Sequence, residues 1–153
     1  MAAKSAGLLL YRRTDQGVVE VLIAHPGGPF WAGRDEGAWT VPKGEYDPGA
    51  DPLAAAYREF REETGFDAPS GVPTSLGELR QPGGKRVTLW AIEGDLDVGQ
   101  ASSNTFEMEW PPRSGQVREF PEVDRLKWAD VDRARTLLLP GQAPFLDRLA
   151  DAI

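Results

Sequence analysis

Cysteine is missing from this chain and histidine occurs once in 153 residues. Disulfide staples and thiolate metal sites are therefore excluded, and any imidazole chemistry rests on His25, which ends an apolar run just before Pro26. A lone imidazole in that position reads first as a structural group, with contact to a phosphate or ribose as the other option. Long apolar runs are also missing. The earliest, Ala6–Tyr11, is too short for the core of a signal peptide and far too short to span a bilayer. Basic residues are in the minority, with 17 Lys and Arg against 24 Asp and Glu and a net charge of −7. A broad nucleic-acid footprint needs a basic face, so an extended nucleic-acid partner is not expected. A small anionic ligand stays open, because a metal ion and a few local cations outweigh distant charge. There is no internal repeat and no low-complexity segment. Together these absences are compatible with a reducing cytoplasm, which is the expected compartment, and no membrane partner is expected. Oligomeric state is not legible.

What is present is an ordinary soluble composition, 41% hydrophobic and 27% charged. The length favours one domain, residues 1–153, able to bury a core without outside staples. Ala6–Tyr11 and Val18–Ala24 read as two strands around the turn Asp15-Gln16-Gly17. A Gly- and Pro-rich loop from Pro26 to Gly37 carries Phe30, Trp31 and Arg34, and a short strand Ala38–Val41 is expected to end at Pro42. Lys43 falls in a Pro-Lys-Gly turn. Leu76–Arg80 and Arg86–Glu93 read as a hairpin around Gln81-Pro82-Gly83-Gly84. The basic set Arg80, Lys85 and Arg86 beside that turn reads as solvated. Gly94–Asn104 reads as a mobile loop, Phe106–Trp110 as a half-buried strand, Pro111–Gly115 as a breaker, and Arg125–Trp128 as a short strand. Helices are expected at Asp130–Leu138 and Pro144–Ala152. One capped helix set among strands is a mixed α/β pattern rather than a regular βαβ alternation. Of the five tryptophans, Trp90 and Trp128 read as core, and Trp110 as a residue that could line a cleft. Phe30 and Trp31 could stack on a base or pack beneath their loop.

The most informative stretch is Pro42–Phe66. Asp51 suits an N-cap, Pro52 the first helical position and Gly65 the C-terminal stop. At about 100° per residue, Leu53, Ala56, Tyr57, Phe60 and Thr64 share one stripe, with Glu59, Glu62 and Glu63 about a third of a turn away. Three carboxylates in one helical turn repel one another unless a cation sits among them. The pattern E-x-x-E-E alone also describes a solvated helix face, with Arg58 and Arg61 as surface ion-pair partners. Hard oxygen donors suit Mg²⁺ or Mn²⁺, and such ions share phosphate oxygens and activate water. Arg58 could orient a glutamate or meet a phosphate bidentately, and Lys43 could meet a phosphate as a point charge.

These residues resemble the Nudix hydrolase family, whose box reads G-x5-E-x7-R-E-U-x-E-E-x-G-U, with U a bulky apolar residue. Gly44, Arg58, Glu59, Phe60, Glu62, Glu63, Gly65 and Phe66 match at the right spacing over residues 44–66. Within the family the stretches HPGGPFWAGRDEGAW and MEWPPRSG look similar to bacterial members described as nucleoside-triphosphate pyrophosphohydrolases. The resemblance implies an α/β/α sandwich with a mixed sheet. It also implies metal-dependent hydrolysis of a nucleoside diphosphate derivative. A nucleoside triphosphate or dinucleoside polyphosphate is put first as the small nucleotide substrate, with oxidised nucleotides and sugar nucleotides left open. The resemblance assigns metal binding to Glu59, Glu62 and Glu63, and catalysis to Glu62, Glu63 and Arg58. The box does not fix the substrate side, for which Lys43, Arg34 and Trp31 are the candidates by residue type and position. The general base falls within the box or in a later acidic loop, where Glu119 and Glu122 are the candidates. One position departs from the pattern: Ala50 stands where the first box glutamate is expected. Glu45 is a candidate replacement carboxylate. The alternative that this departure raises is a nucleotide-binding module of the same fold with hydrolysis weakened or lost.

Overall fold

The computed structural model describes residues 3–153. The chain opens with β1 (Lys4–Arg13) and β2 (Val19–Pro26), followed by a three-residue β3 (Lys43–Glu45) and helix α1 (Pro52–Thr64). Strands β4 (Thr74–Arg80) and β5 (Arg86–Glu93) come next, then β6 (Thr105–Glu109), β7 (Val117–Pro121) and β8 (Val123–Asp130). Helices α2 (Val131–Leu137) and α3 (Pro144–Ala152) close the chain. The main sheet runs β4-β5-β1-β2-β8, with β3 also paired to β1, while β6 and β7 form a separate antiparallel ribbon. Strands β1 and β5 pair in parallel and the other strand pairs of the described residues antiparallel, so the sheet is mixed.

Two apolar clusters hold the layers together. On one face Ala6, Leu8, Leu10 and Leu22 meet Ala55, Ala56 and Phe60 of α1. On the other, Leu9, Val21 and Ile23 meet Leu137, Phe145, Leu146 and Leu149 of the closing helices. Alternate residues of β1 thus feed opposite cores, as a doubly covered strand requires, and the result is an α/β/α sandwich. Phe60 is fully buried, and truncating such a residue to Ala costs about 3–5 kcal/mol.

Helix α1 begins and ends as its sequence signals specify. The Asp51 carboxylate accepts from the Ala54 N–H at 3.0 Å, and Gly65 adopts φ 79°, donating its N–H back to the Arg61 carbonyl.

The fold of the site region departs from the sequence reading at several points. The expected strand Ala38–Val41 reduces to isolated bridges, Thr40 to Ala24 and Trp39 to Leu138. The residues after Pro42 are the ones that enter the sheet, so Lys43 is in a strand rather than a turn. Residues 118–121, expected in a loop, lie in β7, whose partner β6 makes the ribbon. The Gly94–Asn104 segment contains a short 3₁₀ turn, Val98–Gln100, capped by the Asp97 side chain. Trp39 is the fully buried tryptophan. Trp90 and Trp128 only partly enter the core, and Trp128 is covered by the Arg12 guanidinium 4.1 Å from its ring centroid.

The placement of β3 creates the cleft. One edge of β1 serves two partners: Tyr11–Arg13 pair with β2, whereas Ser5–Gly7 pair with β3. Strands β1 and β2 therefore diverge, and β3 fills the fork.

Candidate active site

At that fork lies a cleft of about 520 Å³ lined by Glu59, Glu62, Glu63, Lys43, Glu122 and Trp31, among others. Each of these side chains arrives from a different local cause. Glu59 and Glu63 lie one turn apart on α1, on the side that packs against β3. Gly44 is what permits the contact, because a Cβ built there would collide with the Glu59 carboxylate. Glu63 is 9% exposed and counts with the buried residues of the helix. Glu62 is half-exposed at the rim, and Asn104 donates its backbone N–H to the Glu62 carbonyl at 2.8 Å. Glu122 donates its N–H to the Asn104 carbonyl at 2.8 Å, and Gly27 donates to the Glu122 carbonyl at 3.0 Å. A chain of three main-chain hydrogen bonds thus ties the helix end, the Glu122 segment and the start of the aromatic loop.

The electrostatics are those of partly buried carboxylates crowded together and only partly answered by Lys43 and Arg58. Burial pushes the Glu63 carboxyl up to about 8, and nearby Glu59 and Glu122 push the same way, against the pull of the Lys43 ammonium and backbone N–H. Glu59 is raised by burial first and by Glu62 among its neighbours. Glu122 is raised by burial, then by Glu59 and Glu62. Burial lowers Lys43, with Lys85 adding to it and the acids opposing. Arg58 lies on the exposed side of the cluster, its guanidinium 3.3 Å from the Glu59 carboxylate and 4.0 Å from that of Glu62.

Whether a divalent ion suits this set follows from the donors present. Among the described residues no group of three or more His, Cys, Asp or Glu side chains converges as a ready cage. Chemically the set fits: hard carboxylate oxygens, one seated directly over Gly44, crowd one cleft and stand on flexible arms that can turn inward.

The other candidates divide. Trp31 lines the cleft, but Arg34 does not; its guanidinium lies 5.7 Å from the Trp31 ring centroid and its carbonyl sits 2.7 Å from His25 Nε2. Glu122 reaches the cleft, whereas Glu119 is exposed on β7 opposite Glu107. Glu45 borders the cleft yet is held by Lys85 at 2.8 Å, so it does not join the helix acids. Ala50 borders a separate outer cavity with Lys4 and Tyr46. His25 is 1% exposed, with Nδ1 2.8 Å from Asp124, and is a satisfied structural residue. Phe30 rests edge-on against Trp110 with centroids 5.8 Å apart. Lys85, which reads from sequence as part of a solvated turn, also lines the cleft. Its only sequence signal is its place at the foot of β5, and facing the fork is a tertiary fact.

Comparison with known proteins agrees with this architecture. The chain is 32% identical over 152 residues to an RNA pyrophosphohydrolase of Rhodospirillum rubrum, covering 95% of this chain and 88% of that one. It is 33% identical over 145 residues to the asymmetrical bis(5'-nucleosyl)-tetraphosphatase of Rattus norvegicus, covering 88% and 83% respectively. Among solved structures, the Caenorhabditis elegans Ap4A hydrolase binary complex superposes with a TM-score of 0.66 at 24% identity, over 99% of this chain and 97% of that one. The NUDIX domain family model matches residues 1–149, and with the box helix, the mixed sheet and the fork cleft in place, the chain belongs to the Nudix family.

Proposed function

We propose that the fork cleft cleaves the diphosphate linkage of a nucleoside triphosphate or dinucleoside polyphosphate, with water as the nucleophile. The chain is a hydrolase of phosphoric anhydrides in nucleotides. The observation that carries the reading is the meeting of Glu59, Glu62 and Glu63 with Lys43 and the opposing Glu122 around one cavity. In this reading Glu59, Glu62 and Glu63 hold Mg²⁺ or Mn²⁺, which when bound neutralises phosphoryl charge and makes water a better nucleophile. Arg58 orients Glu59 and Glu62. Lys43 meets a phosphoryl oxygen from the strand side. Glu122 faces the helix acids from the opposite wall, and its raised pKa suits it to take the proton from the attacking water. Trp31 offers a ring face to the base, with Arg34 stacked behind it rather than on the substrate. The proposed setting is the cytoplasm, and the proposed partner a small nucleotide, because the net charge of −7 disfavours an extended nucleic acid. Among the described residues no helix is long and apolar enough to cross a membrane.

A nucleotide-binding module without turnover is not supported. The helix acids that hydrolysis needs all border the cleft, and both curated relatives described above carry the names of hydrolases. The test is a panel of nucleoside triphosphates, dinucleoside polyphosphates and a short 5'-triphosphorylated RNA, with Mg²⁺ and Mn²⁺ and the products identified. Wild-type protein is expected to cleave a small nucleotide, and Glu62→Gln to lose turnover by about two orders of magnitude or more, as removal of a preorganised charge stabiliser does. Undiminished turnover in Glu62→Gln would remove the assignment.

A further inference from the structure

The cleft has a second corner, beyond Lys43 as seen from the helix acids, lined by Ser5 and Lys85. Ser5 is 1% exposed, and its hydroxyl is the buried side-chain polar atom with no hydrogen-bond partner among the described residues. It lines the same cavity as Lys43 and Lys85. The strand register explains why. Ser5 faces Glu45 across the β1–β3 ladder and Gly7 faces Lys43, so Ser5, Lys43 and Glu45 project from one face of the sheet. Gly44 lies on the other face, against Glu59. Lys85 reaches the corner from the foot of β5 and is held there by Glu45 at 2.8 Å. Two ammonium groups, one unanswered hydroxyl and the single Glu45 carboxylate lie on one side, and Glu59, Glu62, Glu63 and Glu122 on the other, so the two sides of the cleft differ in sign.

Resting on the reading of the cleft as a diphosphate site, we propose that Ser5, Lys43 and Lys85 form an anion corner that takes the phosphoryl group lying away from the helix acids. The Ser5 hydroxyl donates to one of its non-bridging oxygens. Lysines supply charge without direction, whereas a hydroxyl fixed by the sheet supplies direction. The Lys85–Glu45 pair holds Lys85 beside the corner in the free protein. Both side chains are more than a third exposed, so Lys85 can exchange the carboxylate for a phosphoryl oxygen without disturbing the strands. A buried hydroxyl that finds no partner in the free protein lowers its stability, and binding removes that penalty.

The probe is inorganic pyrophosphate, titrated calorimetrically in Mg²⁺ buffer, alongside thermal unfolding in EDTA. Ser5→Ala is expected to weaken pyrophosphate binding about tenfold while leaving the metal-free Tm equal or higher. Lys85→Gln is expected to weaken the same binding. A Ser5→Ala protein that binds within twofold of wild type overturns the proposal. So does one whose metal-free Tm drops by several degrees, because its hydroxyl would then be answering a protein group. The two readings fail separately: wild-type protein that binds pyrophosphate through Ser5 but cleaves no nucleotide keeps the corner and sinks the hydrolase assignment, and the converse result does the reverse.

Discussion

Replacing Glu63 by Gln should stabilise the metal-free protein while disabling it. The Glu63 carboxyl is raised from an ordinary 4.5 to about 8, chiefly by burial. A group raised in the folded state contributes its full share of stability below its ordinary pKa, and that share is lost as pH rises through the folded value. At about 1.4 kcal/mol per pH unit between 4.5 and 7, the loss at pH 7 is about 3 kcal/mol, and above pH 9 it approaches about 5 kcal/mol. At pH 5 it is under about 1 kcal/mol by the same relation. Glutamine has the shape of the protonated acid and does not titrate, so Glu63→Gln escapes the loss. For a chain of this size, about 3 kcal/mol corresponds to a gain in Tm of roughly 6–12 °C. The assay is calorimetric unfolding in EDTA at pH 5, 7 and 9, with nucleotide turnover measured in parallel. The expected outcome is near-equality at pH 5, a widening gap at pH 7 and 9, and a collapse of turnover throughout. A Glu63→Gln protein less stable than wild type at pH 9 would refute the reasoning, since Glu63 would then be a stabilising ionised group.

Two further substitutions probe the box. Gly44→Ala places a methyl group where the Glu59 carboxylate now lies, and should lower stability by about 1–3 kcal/mol, as overpacking does, together with a loss of Mn²⁺ affinity seen in calorimetry. Unchanged Mn²⁺ affinity would mean that Glu59 is free to bind from elsewhere. Ala50→Glu restores the carboxylate of the box pattern at the cavity that also holds Lys4 and Tyr46; it should raise turnover or metal affinity modestly, and a dead enzyme would show that the box register is misassigned.

The legible parts of the molecule are those with local causes. Asp51, Pro52 and Gly65 punctuate α1 without help from the rest of the fold, and the apolar runs of β1, β2 and β5 are long enough to declare themselves. The three residues Lys43–Glu45 carry no strand signal, because their pairing is supplied by β1. In β7 every residue but Phe120 is exposed, so no alternation marks it. By spacing the acids of α1 read as one group about a third of a turn from the apolar stripe. Yet Glu63 follows Phe60 by three residues and turns with it towards the sheet. The pull of Lys85 into the cleft, the diversion of Glu45 to pair with it and the burial of Trp39 are consequences of which strands meet, and no window of sequence contains them.

The main-chain links from Gly27 through Glu122 and Asn104 to Glu62 have a consequence for how such a molecule can diversify. They fasten the root of the β6–β7 ribbon to the working parts, while its tip, around Pro112–Gly115, stands exposed. Insertions, deletions or a grafted recognition segment at that tip would alter what the protein greets at its doorway while the machinery beneath stays in register.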